Sequence, residues 1–360
     1  MKVLAYSVTP SPYQREFFTA LSDIDGVTLQ VAYFEEAPVE AAWELGRLAP
    51  WESVIPGHRM GAGRFRCHWN NPLPSFAGFD RVILNAPVTG LTTQRLFRAL
   101  GSNGSPPWAF WAERLRPHRA WKGAVQRYLV APLANADAIV AIGRTAVDDY
   151  RHRFPTVPVH DIPYSCSLAE FETAAMAREA SMTCRFLFAG QMIARKGVDV
   201  MLQAFARLVQ SGLDVELHLV GREADLPGWM SQLDQQTCAR ITYLGFKQPH
   251  ELPAIFAASD VFLLPSRYDG WGVVVNQALG AGMPVISSTA AGAGRDLIQD
   301  GRNGLHVLPG CADSLEAAMR RIAENPAERS AMACAALESS KVIRPESAAR
   351  RWLDVLERLQ

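Results

Sequence analysis

The stretch FLFAGQMIARKGVDVMLQAF, Phe186 to Phe205, sets two adjacent cations, Arg195 and Lys196, between an apolar run and a helical pattern. The run ends at Gly190, and Gly197 leads into the helix. Two positive charges beside the positive end of a helix dipole suit a diphosphate. A solvated basic pair in an ordinary strand-to-helix loop has the same spacing. A second stretch, LLPSRYDGWGVVVNQALGAGMPVISS, Leu263 to Ser288, places Asp269 in a turn with Gly270, Trp271 and Gly272, ahead of a helix carrying Gln277. Two helical turns separate Asp269 from Gln277, which puts them near one face if both lie in or beside that helix. Gly270 and Gly272 let backbone approach a ligand with no Cβ in the way. An acidic residue in such a turn is poor core material. In a third stretch, TAAGAGRDLIQDGRNGLHVLPG, Thr289 to Gly310, Gly292 and Gly294 head the segment Arg295–Gln299. Their N–H groups offer a second phosphate contact; taken alone, the stretch reads as a loop.

These residues sit on an alternation of short apolar runs and helical patterns, the signature of a parallel α/β sheet. Strands are predicted over Val3–Val8, Val27–Ala32, Arg81–Leu84, Trp108–Trp111 and Ala138–Ile142, with helices at Gln14–Leu21 and Thr93–Leu100. The second half repeats the scheme with strands at Phe186–Ala189, Val215–Val220, Ile241–Leu244, Val261–Leu264 and Pro284–Ser287. Its helices fall at Val198–Gln210, Glu251–Ala257, Gly272–Ala281 and Ser314–Glu324. The 360 residues fit two domains. The expected division is 1–165, 166–345 and a helix over 346–360 that packs back toward the N-terminal domain, with the joint between Ile162 and Thr183. Two doubly wound domains that face each other would share a cleft at their strand carboxyl ends.

Composition narrows the classes. Lys plus Arg (36) equals Asp plus Glu (36), so no net field draws the chain to nucleic acid. Six scattered cysteines without a C-x-x-C pair indicate reduced thiols and a cytoplasmic setting. The opening MKVLAYSV enters a strand pattern directly, with no leader expected. The longest apolar stretch, Tyr128 to Gly143, is broken by Asn135 and Asp137, so no bilayer span is predicted. Asp23-Ile24-Asp25 has a D-x-D form but falls in a helix-to-strand turn, and the eight histidines show no metal-ligand spacing. No metal or cofactor is expected. Gly61-Ala-Gly63 and Gly292-Ala-Gly294 lack the third glycine and acidic partner of a dinucleotide site.

In the first half, Ser11, Tyr13, Arg15, Asn85, Glu113 and Arg114 fall near predicted strand ends, where an acceptor would be held; exposed loop residues fit the same positions. Glu113 directly follows a buried strand. It would orient or deprotonate an acceptor hydroxyl, or simply pair with Arg114 or Arg116.

The strings GQMIARKGVDVML, LGFKQPHELPAIFAASDVFLLPS, YDGWGVVVNQALGAGMPVISS and DGRNGLHVLPG, in that order across Arg185 to Gly310, resemble the C-terminal domain of family 4 retaining glycosyltransferases of the GT-B fold. PSPYQREFF and FWAERLR in the first half resemble bacterial polysaccharide-assembly members. The resemblance implies α/β architecture of two Rossmann-like domains facing a central cleft, and metal-independent transfer with retention at the anomeric carbon. Arg195 and Lys196 match the pair that grips the donor pyrophosphate. Asp269 matches the first acidic residue of the E-x7-E pattern, facing the sugar, and Gln277 the second, on the ribose hydroxyls. Gly245 and Phe246 match the place where the base is met, and Gly292 to Gly294 the loop beside the phosphates; Gly190, Gly270, Trp271 and Gly272 are expected to contact the donor as well. The chain departs from the family with Asp and Gln at the two acidic positions, and with Ser167 where relatives often have Asp. Gln277 loses charge but keeps a carbonyl acceptor, a swap worth on the order of 1 kcal/mol in donor affinity.

The expected reaction moves a sugar from a nucleoside diphosphate donor, a UDP-sugar ahead of a GDP-sugar, to a hydroxyl of a glycan or lipid-linked acceptor. A non-catalytic nucleotide-sugar-binding protein and a GT-B nucleotide-sugar epimerase are the rival readings. Over residues 111–127, Arg114, Arg116, Arg119, Lys122 and Arg127 face one acid, Glu113, with Trp111, Trp121 and Tyr128 nearby. That mixture suits peripheral contact with an anionic inner membrane leaflet; an ordinary solvated helix fits it as well.

Overall fold

A computed structural model describes residues 1–36, 46–60, 67–115, 118, 120–176, 178 and 181–359. The chain divides into two compact units. One comprises Met1–Ser165 and Pro345–Gln360, the other Cys166–Arg344.

The N-terminal unit contains β1 (Lys2–Ser7), β2 (Thr28–Tyr33), β3 (Glu52–Val54), the hairpin β4 (Gly57–Met60) and β5 (Cys67–Asn70), then β6 (Arg81–Asn85), β7 (Trp108–Ala112), β8 (Ala138–Ala141) and β9 (Val159–Asp161). Seven of these form a parallel sheet in the order β3-β2-β1-β6-β7-β8-β9. The strand β8 is apolar at every position and β6 at its three buried central ones, as a sheet covered on both faces requires. Tyr6, Phe97, Trp108, Phe110 and Tyr150 anchor its core. At the edge strand β9, the carbonyls of Val159 and Asp161 accept from Arg151 and Arg351.

The last helix, Pro345–Arg358, belongs to this N-terminal unit. Its apolar positions Ala348, Ala349, Trp352, Val355 and Leu356 fall on one stripe and are buried. Trp352 packs against both Phe17 and Trp111, with ring centroids at 5.9 and 5.5 Å. Arg81 ties down the helix end by donating to the carbonyls of Leu356 and Leu359 at 2.8 and 2.9 Å.

The C-terminal unit contains β10 (Cys184–Ala189), β11 (Val215–Val220), β12 (Ile241–Tyr243), β13 (Val261–Leu264), β14 (Val285–Ser288) and β15 (Gly304–Val307), a parallel sheet in the order β12-β11-β10-β13-β14-β15. The helix Val198–Gln210 buries Met201, Leu202, Phe205 and Leu208 against it, the spacing of a core-facing stripe. In both sheets the chain reverses direction beside the first strand, between β1 and β6 and between β10 and β13. In open α/β sheets, ligands bind at the carboxyl ends of the strands beside such a switch point.

Most predicted strands and helices lie within two residues of those observed. The strands β3, β4, β5, β9 and β15 were not read from the sequence, nor were the helices Ala120–Val130, Arg144–Arg153, Ala169–Met176 and Pro326–Ser340. The missed strands have three or four residues, and β4 is exposed throughout, so no apolar run marks them.

Candidate active site

At the carboxyl ends of β10, β11 and β12, beside the switch point of the C-terminal unit, three stretches of backbone meet. The Gly190 N–H donates to Val220 O at 2.8 Å, and the Gly221 N–H donates to Gly245 O at 2.9 Å. Gly221 adopts φ +132°, and a Cβ there would lie 1.9 Å from Gly190 O, so no other residue fits. Sequence reading missed Gly221, although a glycine directly after the apolar run Val215–Val220 was the available signal. The Tyr243 hydroxyl donates to Gly221 O at 2.8 Å, and Tyr243 and Phe246 both remain exposed. They leave aromatic surface beside this glycine contact.

The basic loop is held against the acidic one by backbone and side chain together. Gly197 lies in the left-handed region at φ +75°, and a Cβ there would come within 2.1 Å of Pro265 O. The Arg267 N–H donates to Arg195 O at 2.9 Å, and the Arg267 guanidinium clasps Asp199 with bonds of 2.6 and 2.7 Å. Burial works to raise the Asp199 pKa, but the hydrogen bonds and charge of Arg267, with the backbone N–H groups of Val200 and Asp199, hold it below the usual carboxylate range. Asp199 and Arg267 are positioning residues absent from the sequence reading. An acid in the first turn of a helix and an arginine two residues before Asp269 carry no distinctive spacing.

This scaffold brings the sequence candidates Arg195, Lys196 and Asp269 together. Lys196 Nζ donates to Asp269 Oδ2, with both side chains mostly buried. Arg195 lies 3.8 Å from the other carboxylate oxygen and donates to Tyr268 O at 3.0 Å, while its side chain stays 47% exposed. Three charged groups from loops more than 70 positions apart thus form one cluster with a net positive charge.

Gln277 lies in the helix Val274–Gly280, 5% exposed, and its Oε1 has no hydrogen-bond partner among the described residues. A buried acceptor left unpaired costs about 1–3 kcal/mol, so it marks a place where a donor group belongs.

Other sequence candidates have structural duties. Trp271 is buried, and its indole N–H donates to Asn276 Oδ1 at 3.1 Å, so its ring is not open to a ligand as expected. The Gly292 N–H donates to Asp269 O at 3.3 Å instead of standing free for phosphate. A Cβ at Gly292 would meet Gly270 O at 2.3 Å and one at Gly294 would meet Ser287 Oγ at 1.9 Å, so packing accounts for both glycines. Gly272, at φ +92°, turns the chain next to Leu264.

In the N-terminal unit, Arg15 does not face outward toward an acceptor. Its guanidinium donates to Glu52 through two nitrogens and to the Gly46 and Arg47 carbonyls. Asn85 is likewise occupied, accepting from Gln14 and Ser7 while donating to Trp111 O at 2.9 Å. Ser11 caps the helix Pro12–Ser22 through its backbone position without a side-chain bond. Tyr13 lies in the first turn of that helix, partly buried. Glu113 is exposed, and the Tyr164 phenol donates to it; burial first, and this carboxylate second, raise the Tyr164 pKa. Arg114 is exposed beside it. Arg116 and Arg119, from the basic segment, and Gly61 to Gly63 lie outside the described residues. No disulfide joins any of the six cysteines, and no group of three or more potential metal ligands occurs among the described residues.

Residues 183–325 match the family model described as Glycosyl transferases group 1. This segment belongs to that family. The chain is 26% identical over 238 residues to the alpha-D-kanosaminyltransferase of Streptomyces kanamyceticus, a match covering 63% of this chain and 57% of the relative. It is 30% identical over 188 residues to a D-inositol 3-phosphate glycosyltransferase of a Nocardioides species, covering 48% and 41%. The chain thus spans about half the length of these curated relatives. Among solved structures, Anabaena HepE in complex with UDP matches with a TM-score of 0.73 at 17% identity, covering 100% of both chains. The fold is GT-B, with two Rossmann-like units. No described helix is long and apolar enough to cross a membrane.

Proposed function

We propose that this chain is a retaining glycosyltransferase that moves a sugar from a nucleoside diphosphate donor, a UDP-sugar ahead of a GDP-sugar, to a hydroxyl of a glycan or lipid-linked acceptor. The observation that carries the reading is the Arg195–Lys196–Asp269 cluster at the switch point of a group 1 glycosyl transferase segment. The complex of HepE with UDP supports the choice of donor. Arg195 and Lys196 would receive the charge that develops on the departing diphosphate as the sugar–phosphate bond breaks, a role that needs no metal. Asp269 holds Lys196 in place before donor arrives and then meets the sugar, while the orphaned Gln277 Oε1 accepts from a donor hydroxyl. Glu113 and its neighbours in the N-terminal unit serve the acceptor hydroxyl. The enzyme works in the cytoplasm, peripherally at the inner leaflet.

The test is a panel of nucleotide sugars, scored by thermal shift and by nucleoside diphosphate release with and without EDTA. One UDP-sugar should stabilise the protein, by about 2.7 kcal/mol at a hundred times its dissociation constant, and acceptor-dependent release should survive chelation. Donor conversion without any acceptor would identify an epimerase, and stabilisation without any turnover a binding protein. Activity lost to EDTA and restored by magnesium or manganese would overturn the metal-free step. Asp269→Ala should abolish most turnover while nucleotide binding persists.

A further inference from the structure

The helix Ala120–Val130 has an inverted arrangement of its apolar residues. Of its eleven residues only Gly123 and Val130 are buried. Trp121 is 70% exposed, Val125 46% and Tyr128 75%. These three occupy positions i, i+4 and i+7, which a 3.6-residue repeat aligns along one stripe. Gly123 and Val130 fall on the opposite side, toward the protein. Lys122 and Arg127 project to the two flanks of the stripe, both exposed. No carboxylate occurs between Ala120 and Val130. Trp121 and Tyr128 are the two most exposed aromatic side chains among the described residues. Trp111, by contrast, is buried against Phe17 and Trp352, so the aromatic part of the segment 111–127 that reaches the surface is this helix alone.

We propose that the stripe Trp121–Val125–Tyr128, with Lys122 and Arg127 on its flanks, docks this protein on an anionic phospholipid surface. The helix would lie in the plane of the interface. Its aromatic rings would settle at headgroup depth, and the two long cationic side chains would extend outward to the lipid phosphates. Large exposed apolar side chains on a soluble unit mark an interaction surface. An acid-free basic border selects a negatively charged occupant, and the rings select one with an apolar interior. A lipid surface of mixed anionic headgroups supplies both along the whole length of one helix. This deepens the inner-leaflet placement above and is independent of the donor site, which lies in the other unit.

The test is co-sedimentation with vesicles of phosphatidylglycerol and phosphatidylcholine, against vesicles of phosphatidylcholine alone. The wild-type chain should pellet with the anionic vesicles at low salt and be released as salt rises. Lys122→Gln with Arg127→Gln should lower the partition coefficient about tenfold or more and flatten its salt dependence. Trp121→Ser with Tyr128→Ser should lower it at least as far while the salt dependence of the residual binding remains. All four side chains are exposed, so both variants should keep the wild-type thermal midpoint and UDP affinity. That control separates loss of docking from failure of the glycosyltransferase reading. No pelleting of the wild type with anionic vesicles, or pelleting unchanged in both variants, overturns the proposal. A shift from dimer to monomer on Trp121→Ser with Tyr128→Ser, without vesicle binding by the wild type, would make the stripe an interface between copies of this chain and equally overturn it.

Discussion

The two units place polar residues at the same topological position, the switch point beside the first strand of a parallel sheet, with different outcomes. Between β1 and β6, Ser7, Gln14 and Asn85 bond to one another and to Trp111 O, and nearby Arg15 gives its guanidinium to Glu52 and two carbonyls. Between β10 and β13, Lys196 and Asp269 pair, but Arg195 keeps nearly half its side chain in solvent and Gln277 keeps a buried oxygen without a partner. A polar group closed by its own protein holds a fold together. One left open is available to a ligand. The distinction lies in the bonds made, and residue type alone does not reveal it.

The sharpest way to break the comparison is Glu52→Ala, which leaves Arg15 and Tyr33 without their shared acceptor. It should cost about 3 kcal/mol of stability, read by urea unfolding, with no change in UDP affinity. A loss of affinity instead would show that the N-terminal cluster serves the ligand. The same residue predicts a pH dependence. Burial acts to raise the Glu52 pKa, but bonds from Arg15, the Ala49 N–H and Tyr33, with the charge of Arg15, bring it below the usual carboxylate value. A carboxyl whose folded pKa is lowered stabilises above its unfolded value, about 4.3, and that contribution fades as pH falls toward the folded value. The stability gap between wild type and Glu52→Gln should therefore narrow below about pH 4.

Next in size is Lys196→Ala. Losing one charge-assisted contact costs about 1.5–3 kcal/mol, so UDP affinity by calorimetry should fall tenfold or more while the urea midpoint moves little. Unchanged affinity in the Arg195→Ala, Lys196→Ala double variant would remove the phosphate assignment. The smallest effect belongs to Gln277→Glu, which should leave UDP affinity equal or tighter by up to about 1 kcal/mol. A weakening of several-fold would show that the Gln277 amide donates its N–H to the ligand and that its oxygen does not accept from a hydroxyl.

What the sequence made legible follows from range. The helix Val198–Gln210 and the strands Val215–Val220 and Val261–Leu264 were read to the residue, because their signal is local periodicity. Lys196 and Asp269 were singled out by loop chemistry and by resemblance, but their ion pair joins residues 73 positions apart and has no local trace. Arg15 shows the converse. Its position near a strand end suggested a ligand, and only Glu52, 37 residues away, shows that it is a structural bond. Trp271 and Gly292 were misread for the same reason, since burial and backbone pairing across loops decide them.

The placement of Trp352 has a consequence for the order of events during synthesis. The core formed by Phe17 and Trp111 is completed by a helix encoded after the entire C-terminal unit, residues 166–344. At a translation rate of about 5–20 residues per second, the ribosome needs roughly 10–40 s to cross that interval. During this time the nascent N-terminal unit must keep an apolar seam uncovered, in reach of chaperones and of other nascent chains. The C-terminal unit, whose elements are contiguous in sequence, can close as soon as it emerges. The first half to be made is therefore the last to finish folding.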